Sequence, residues 1–209
     1  MVKVAAPMFS LDASGSLAGA IVFSKWKGRN YVRQLVRPSN PKLPLQVAVR
    51  AMFKFLSQSW VDVGSTPKAS WDDLAAAGIY SAFNAFMGRN QSRWREFSAP
   101  SQTYPAAETG TQPVATLDSA TGGSRHADLT FTVTTLNQVW GVAIFQSPTG
   151  SFTPSIGNCI AVIPVDNTGT LVYTVSDLAP GYYYFDAKFF TKEGALGTDE
   201  GEKTCTVTA

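Results

Sequence analysis

Residues 17–60 read LAGAIVFSKWKGRNYVRQLVRPSNPKLPLQVAVRAMFKFLSQSW, and this stretch decides how the first half of the chain folds. Two runs, Ala18–Lys25 and Asn30–Arg37, are rich in Val, Ile, Phe and Tyr and flank Lys27-Gly28-Arg29. Such residues suit the pleated surface of a strand, and glycine takes positive φ at little cost. The pattern therefore predicts a β-hairpin with Lys27, Gly28 and Arg29 at its tip. Pro38, Pro41 and Pro44 follow at three-residue spacing. Each fixes its own φ and biases the residue before it toward extended backbone, so the connector is stiff. Pro44 suits the first position of a helix, where a missing N–H does no harm. Leu45, Val49, Met52, Phe53, Leu56 and Trp60 then recur at helical spacing, which predicts an amphipathic helix over about 45–61 with that stripe in the core.

Cations are dense in the same stretch. Lys25, Lys27, Arg29, Arg33, Arg37, Lys42, Arg50 and Lys54 follow one another with no acidic residue between them. Lys25, Trp26, Lys27, Arg29, Tyr31 and Arg33 gather at the hairpin tip, and Arg50 and Lys54 lie four apart on the helix. Like charges at that spacing weaken an isolated helix slightly, so solvent or a partner must take them up. Arginine and aromatic side chains are the types that most often dominate protein interfaces. These eight residues are therefore the candidate interface. The plainer use of such residues is a solvated helix face and a turn whose tryptophan faces the core.

The 209 residues suffice for one large domain or two small ones, and their ordinary apolar content excludes a wholly disordered chain. A net charge of +2 hides an asymmetry. Residues 1–105 carry 13 Lys/Arg against 5 Asp/Glu, or +8, whereas residues 106–209 carry 4 against 10, or −6. Such a split suggests two domains with different surfaces, and attraction between copies. No window reaches the roughly 18 apolar residues of a membrane span. The N-terminus lacks the apolar core of a signal peptide, so synthesis and folding in a cytoplasm are expected. Cys159 and Cys205 match no zinc spacing; two buried thiols are expected, with a sandwich disulfide as the alternative.

Along the chain, residues 1–16 read as a loose arm. After the first helix, Gly64-Ser65-Thr66-Pro67 marks a stop, Ser70-Trp71-Asp72-Asp73 a second helix start, and a third helix from about Ser81 carries Phe83, Phe86, Met87, Trp94 and Phe97. Gly88 is expected to break or bend it. Trp60, Trp71 and Trp94 read as core. Residues 98–113, rich in Pro, Ser, Thr, Gly and Ala, read as a linker. Seven β-rich runs follow from Val114 to Thr208, with turns at Asn167-Thr168-Gly169 and Lys192-Glu193-Gly194. The expected class is thus α+β: a basic domain over 1–97 of a hairpin and about three helices, a linker over 98–113, and an acidic β-sandwich over 114–209.

Leu178-Ala179-Pro180-Gly181-Tyr182-Tyr183-Tyr184-Phe185, followed by Ala187 and Phe189, resembles the entry to a late strand of an immunoglobulin-like or fibronectin-III-like domain. Trp140 suits the buried tryptophan of such sandwiches. In the first half, Trp26-Lys27-Gly28, Tyr31-Val32-Arg33, Pro38-Ser39-Asn40-Pro41, Gln46, Arg50, Phe53, Trp60, Trp71, Asn84-Ala85-Phe86 and Asn90 occur in an order that resembles a widespread family of bacteriophage and prophage structural proteins. Leu43 stands where that family usually carries a capping threonine. The resemblance covers about residues 17–97. It implies a virion-associated protein, with other virion proteins and further copies of itself as partners.

Catalytic patterns are missing from the sequence. His126 is the one histidine, in a turn without an evident partner, and no nucleophile-elbow, phosphate-loop or dinucleotide fingerprint occurs. Asp72-Asp73 and Asp199-Glu200 read as a helix cap and a solvated loop rather than as ion ligands. The expectation is a non-enzyme without cofactor, metal or small-molecule substrate: a virion structural protein, capsid- or tail-associated. Nucleic-acid binding through the basic aromatic hairpin is the second reading. Glycan binding through Tyr182 and Tyr184 is the third.

Overall fold

The structure is a computed structural model that describes residues 2–3, 15–17, 20–26, 28–36, 39–78, 80–109, 115–135 and 139–209. It divides into two compact units, Met1–Pro41 and Lys42–Ala209. The division expected at 98–113 is therefore not where the chain parts; it falls at the proline-spaced connector.

The first unit is an antiparallel sheet. β3 (Ile21–Trp26) and β4 (Arg29–Gln34) form the expected hairpin, with Trp26 paired to Arg29 across the turn and Gly28 at φ 76°. A side chain there would be strained, which is why the turn needs glycine. β1 (Val2–Lys3) adds to β4 and β2 (Gly15–Leu17) adds to β3, giving the order β1-β4-β3-β2. The arm read as loose thus supplies both outer strands. Two- and three-residue strands leave too short a period for a sequence pattern to show.

The second unit starts with α1 (Pro44–Ser59), capped by Leu43 without a side-chain bond and opened by Pro44. Its buried stripe is Ala48, Met52, Phe55, Leu56 and Ser59, while Leu45 and Phe53 are more than half exposed. The helix is thus rotated from the expected stripe, because Phe55 is the residue that meets the sheet below. A short 3-10 turn, Trp60–Asp62, ends it. α2 (Ser65–Ala76) begins five residues before the expected start, so Ser70 lies inside it. Its hydroxyl donates to Pro67 O and accepts from the amide of Tyr104 instead of capping. α3 (Ala82–Arg95) is capped by Ser81 Oγ and runs unbroken through Gly88. Glycine costs a helix about 1 kcal/mol, and the buried Phe86, Met87, Asn90 and Trp94 hold both sides of it. Trp71 and Trp94 are buried as expected, donating to Gln102 O and Ala48 O.

Among the described residues, seven strands form the sandwich. One sheet has the order β11-β10-β7-β8, from β7 (Val139–Ser147), β8 (Cys159–Pro164), β10 (Gly181–Thr191) and β11 (Lys203–Val207). The other has the order β5-β6-β9, from β5 (Ala115–Gly122), β6 (His126–Val133) and β9 (Gly169–Ser176). All neighbours pair antiparallel. Leu117, Leu129 and Phe131 of one sheet face Val142, Ile144, Phe185, Ala187 and Phe189 of the other. Tyr183, Phe185, Ala187 and Phe189 alternate inward as expected, and Tyr183 closes the Pro180-Gly181 turn by donating its hydroxyl to Ala179 O.

The outer face of the four-stranded sheet explains why the helices do not form a domain of their own. Trp140, Ala143, Phe145, Cys159, Val162 and Phe190 join Met52, Phe55, Phe86 and Trp94 in a second core. β7 is buried on both faces from Val139 to Phe145. Phe55 packs edge-on against Trp140 and Phe190, with ring centroids 5.0 and 5.3 Å away. Gly141 makes room for this approach, since a Cβ there would lie 2.9 Å from the Phe55 ring and 2.8 Å from Ile163 O.

Residues 98–109 fasten helices to sandwich rather than linking them loosely. Ala99 and Ser101 are buried, Gln102 N donates to Lys192 O, and Arg93 donates to Ala99 O and Gly194 O while pairing with Glu108. Residues 110–114, the end of the expected linker and the first residue of the expected sandwich, lie outside the described residues.

Candidate functional site

The hairpin register sorts the candidate interface into faces. Directly opposed residues of an antiparallel pair share a face, and successive residues alternate. Trp26 opposes Arg29, Ser24 opposes Tyr31 and Val22 opposes Arg33. Trp26, Arg29, Tyr31 and Arg33 therefore line one face. Trp26 is 65% exposed, Arg29 and Arg33 are exposed and Tyr31 is half-buried. Lys25, opposite Asn30, lies on the other face. Lys27 lies outside the described residues. Arg50 and Lys54 belong to the second unit, on the exposed side of α1 beside Phe53. Trp26 takes the exposed alternative, not the core one.

Register also adds a residue the sequence reading missed: Lys3 pairs with Tyr31, so a further cationic residue sits on the hairpin's edge strand. No signal within residues 1–16 marks this, because a two-residue strand is defined by its partner.

This face has the means to bind. An indole and a phenol supply flat apolar area, and two guanidinium groups supply planar donors that match carboxylates or phosphates. Elsewhere, His126 lies with Nδ1 2.9 Å from Ser124 O and Nε2 3.9 Å from Asp128 Oδ2. Among the described residues no group of His, Cys, Asp and Glu is arranged to hold a metal ion. Tyr182 is exposed, but Tyr184 is half-buried beside Gly150. Cys159 and Cys205 are free and buried on opposite sides of the sheet, one under the helices and one in the sandwich interior. Burial pushes the Cys159 thiol up to about 12.

The other charged cluster, Asp186, Lys188, Asp199 and Glu200, has a role in stability. Lys188 is held by Asp199 at 2.6 Å, so it does little for Glu200. Burial, then the charges of Asp186 and Asp199, push Glu200 up to about 7. An acid whose pKa is raised by folding holds its proton more tightly in the folded chain. Its contribution is therefore fully present below about 4.5, declines as pH rises toward about 7, and is absent above. Because Glu200 is partly exposed, we discount the full shift to about 1 kcal/mol. Glu200→Gln is expected to raise the melting temperature at about pH 8 and leave it nearly unchanged at about pH 4. Equal shifts at both pH values in thermal melts would show that the carboxylate is not strained.

The chain matches no protein-family model and no curated protein. Several solved structures are similar over about half of it. A β-1,2-glucanase from Parabacteroides distasonis is similar at 15% identity over 48% of this chain and 14% of that one, with a TM-score of 0.37. The sensor domain of an anti-sigma factor from Pseudobacteroides cellulosolvens is similar at 14% identity over 48% and 99%, with a TM-score of 0.32. The PKD domain of a peptidase from a Thermoplasmatales archaeon is similar at 14% identity over 48% and 100%, with a TM-score of 0.32. At such scores these likenesses carry no argument about what the chain does. The coarse class stands on the structure itself: mixed α and β, with three helices and antiparallel sheets among the described residues.

Proposed function

We propose that the chain is a non-enzymatic bacteriophage virion protein, capsid- or tail-associated, that docks through its hairpin and carries an immunoglobulin-like module. The observation that carries the docking surface is the single face bearing Trp26, Arg29, Tyr31 and Arg33, with Trp26 65% exposed. An exposed tryptophan on the same face as two arginines gains by burial against a partner, and the arginines favour an acidic one. The virion assignment rests on the resemblance of residues 17–97 to phage structural proteins. Seven strands among the described residues, three on four, support the reading of an immunoglobulin-like module. Its partners are other virion proteins and further copies of the chain, and its place is the virion after assembly in the host cytoplasm.

The test is incorporation into particles. Trp26→Ala removes the anchor and should weaken docking by about 2 kcal/mol or more, roughly 30-fold. Arg29→Glu/Arg33→Glu should reduce copy number further by opposing an acidic partner. Circular dichroism checks that both variants fold. Full incorporation of both folded variants would refute the hairpin as anchor. Salt-sensitive retention of the wild-type chain on DNA, lost in the double variant, would favour the nucleic-acid reading instead.

A further inference from the structure

We propose that β9 is a second contact surface, through which two copies of the chain join edge to edge into one continuous six-stranded sheet. This goes beyond the docking role of the hairpin and does not depend on it.

The sandwich has four edge strands, and three are guarded. β8 ends in Pro164, pairs with β7 through a register shift and is covered by α1. β11 starts with Lys203 and is five residues long. β5 carries a register shift between Leu117 and Ser119 and runs beside β11, with Ser124 bridging Thr208 across the seam. Proline, lysine, irregular pairing, short length and a covering element are the means by which native sheets keep their edges from pairing with another chain.

β9 has none of them. It reads Gly-Thr-Leu-Val-Tyr-Thr-Val-Ser, eight residues without charge or proline, and pairs with β6 in unbroken register from Gly169 to Ser176. Among the described residues only β6 borders it in the sheet. The N–H and C=O groups of every second residue consequently point away from the sheet. Val172 is 56% exposed on the outer face, where Thr170, Thr174 and Ser176 are also exposed. Leu171, Tyr173 and Val175 turn inward but are only half-buried, at the rim of the sandwich core. An added strand would satisfy the outward backbone groups and cover this rim.

The occupant that fits is β9 of a second copy. A two-fold axis perpendicular to the sheet keeps inner residues on the inner face of both copies. With the axis at Tyr173, Val172 of one copy faces Thr174 of the other and Thr170 faces Ser176. Both outer-face pairs are β-branched or hydroxylic, and no like charges meet, although the surrounding half of the chain is acidic. Such a contact closes after two copies, so it yields a dimer and not a filament.

Sedimentation velocity on the full chain over a concentration series is expected to show conversion from one chain to two, with no larger species. Val172→Lys, on an exposed side chain, should abolish the two-chain species and leave the thermal melt unchanged at dilutions where the wild type is a single chain. Trp26→Ala should leave it intact. Amide exchange of the wild type supplies a readout that needs no variant: alternate amides within 169–176 should slow as concentration rises. A chain that stays monomeric, a dimer that survives Val172→Lys, a dimer lost in Trp26→Ala, or exchange in β9 that ignores concentration would each overturn the proposal.

Discussion

Replacing Phe55 by alanine is expected to destabilise the second unit by about 3–5 kcal/mol, the range for deleting a fully buried phenylalanine. The ring is 1% exposed and stands edge-on to both Trp140 and Phe190. Gly141 leaves the sheet no side chain with which to fill the space beneath it. The loss should appear in denaturant unfolding followed both by tryptophan fluorescence and by far-ultraviolet dichroism. Because helices and sandwich share this core, the two signals should move together in wild type and variant. Two separated transitions would show that the helices and the sandwich fold independently. The same contact governs truncation. Residues 114–209 alone would expose Trp140, Phe145, Val162 and Phe190, an apolar face that α1 and α3 cover in the intact chain. That fragment is expected to aggregate or to lack a cooperative melt.

Asn90→Ala is expected to cost about 3 kcal/mol although it removes few atoms. Asn90 is fully buried; its Nδ2 donates to Ser101 O at 3.0 Å and its Oδ1 accepts from Ser101 N at 2.8 Å. Alanine would leave a backbone donor and a backbone acceptor unpaired in the interior, each worth about 1–3 kcal/mol. Asn90→Asp keeps the acceptor and, while protonated, offers an O–H to Ser101 O, so below the carboxylate's pKa it should lie between wild type and alanine; above it the donor is lost, a charge is buried and stability should fall further. Urea unfolding of the three proteins checks the order. Equal stability of wild type and alanine would mean that water replaces the amide there. This asparagine also belongs to the pattern that resembles phage structural proteins, and the structure gives it a purely mechanical task.

The hairpin and the three helices were legible because each carries a local signal: Gly28 between two β-rich runs, Pro44 before an amphipathic repeat, Ser81 at a cap. The candidate face was only half legible. Composition marked Trp26, Arg29, Tyr31 and Arg33, but separating them from Lys25 required the register, since period-two alternation assigns faces only once the pairing is known. The misplaced boundary has a similar cause. Residues 98–109 are polar and aperiodic, as a linker would be, yet their backbone groups are taken by Asn90, Arg93, Ser70 and Lys192. Those partners lie in other elements.

The amino-acid sequence by itself determined the class of the hairpin, the helices and the sandwich strands, the glycine turn, the alternation of Tyr183, Phe185, Ala187 and Phe189, and the concentration of cations in the first half. These follow from φ preferences, side-chain period and charge, which act within a few residues. Only the tertiary structure decided that α1 turns Phe55 rather than Phe53 to the sheet, that β7 is covered on both faces, and that β9 is bordered by β6 alone among the described residues. Each of these depends on which surface lies opposite, and burial is a property of two surfaces at once.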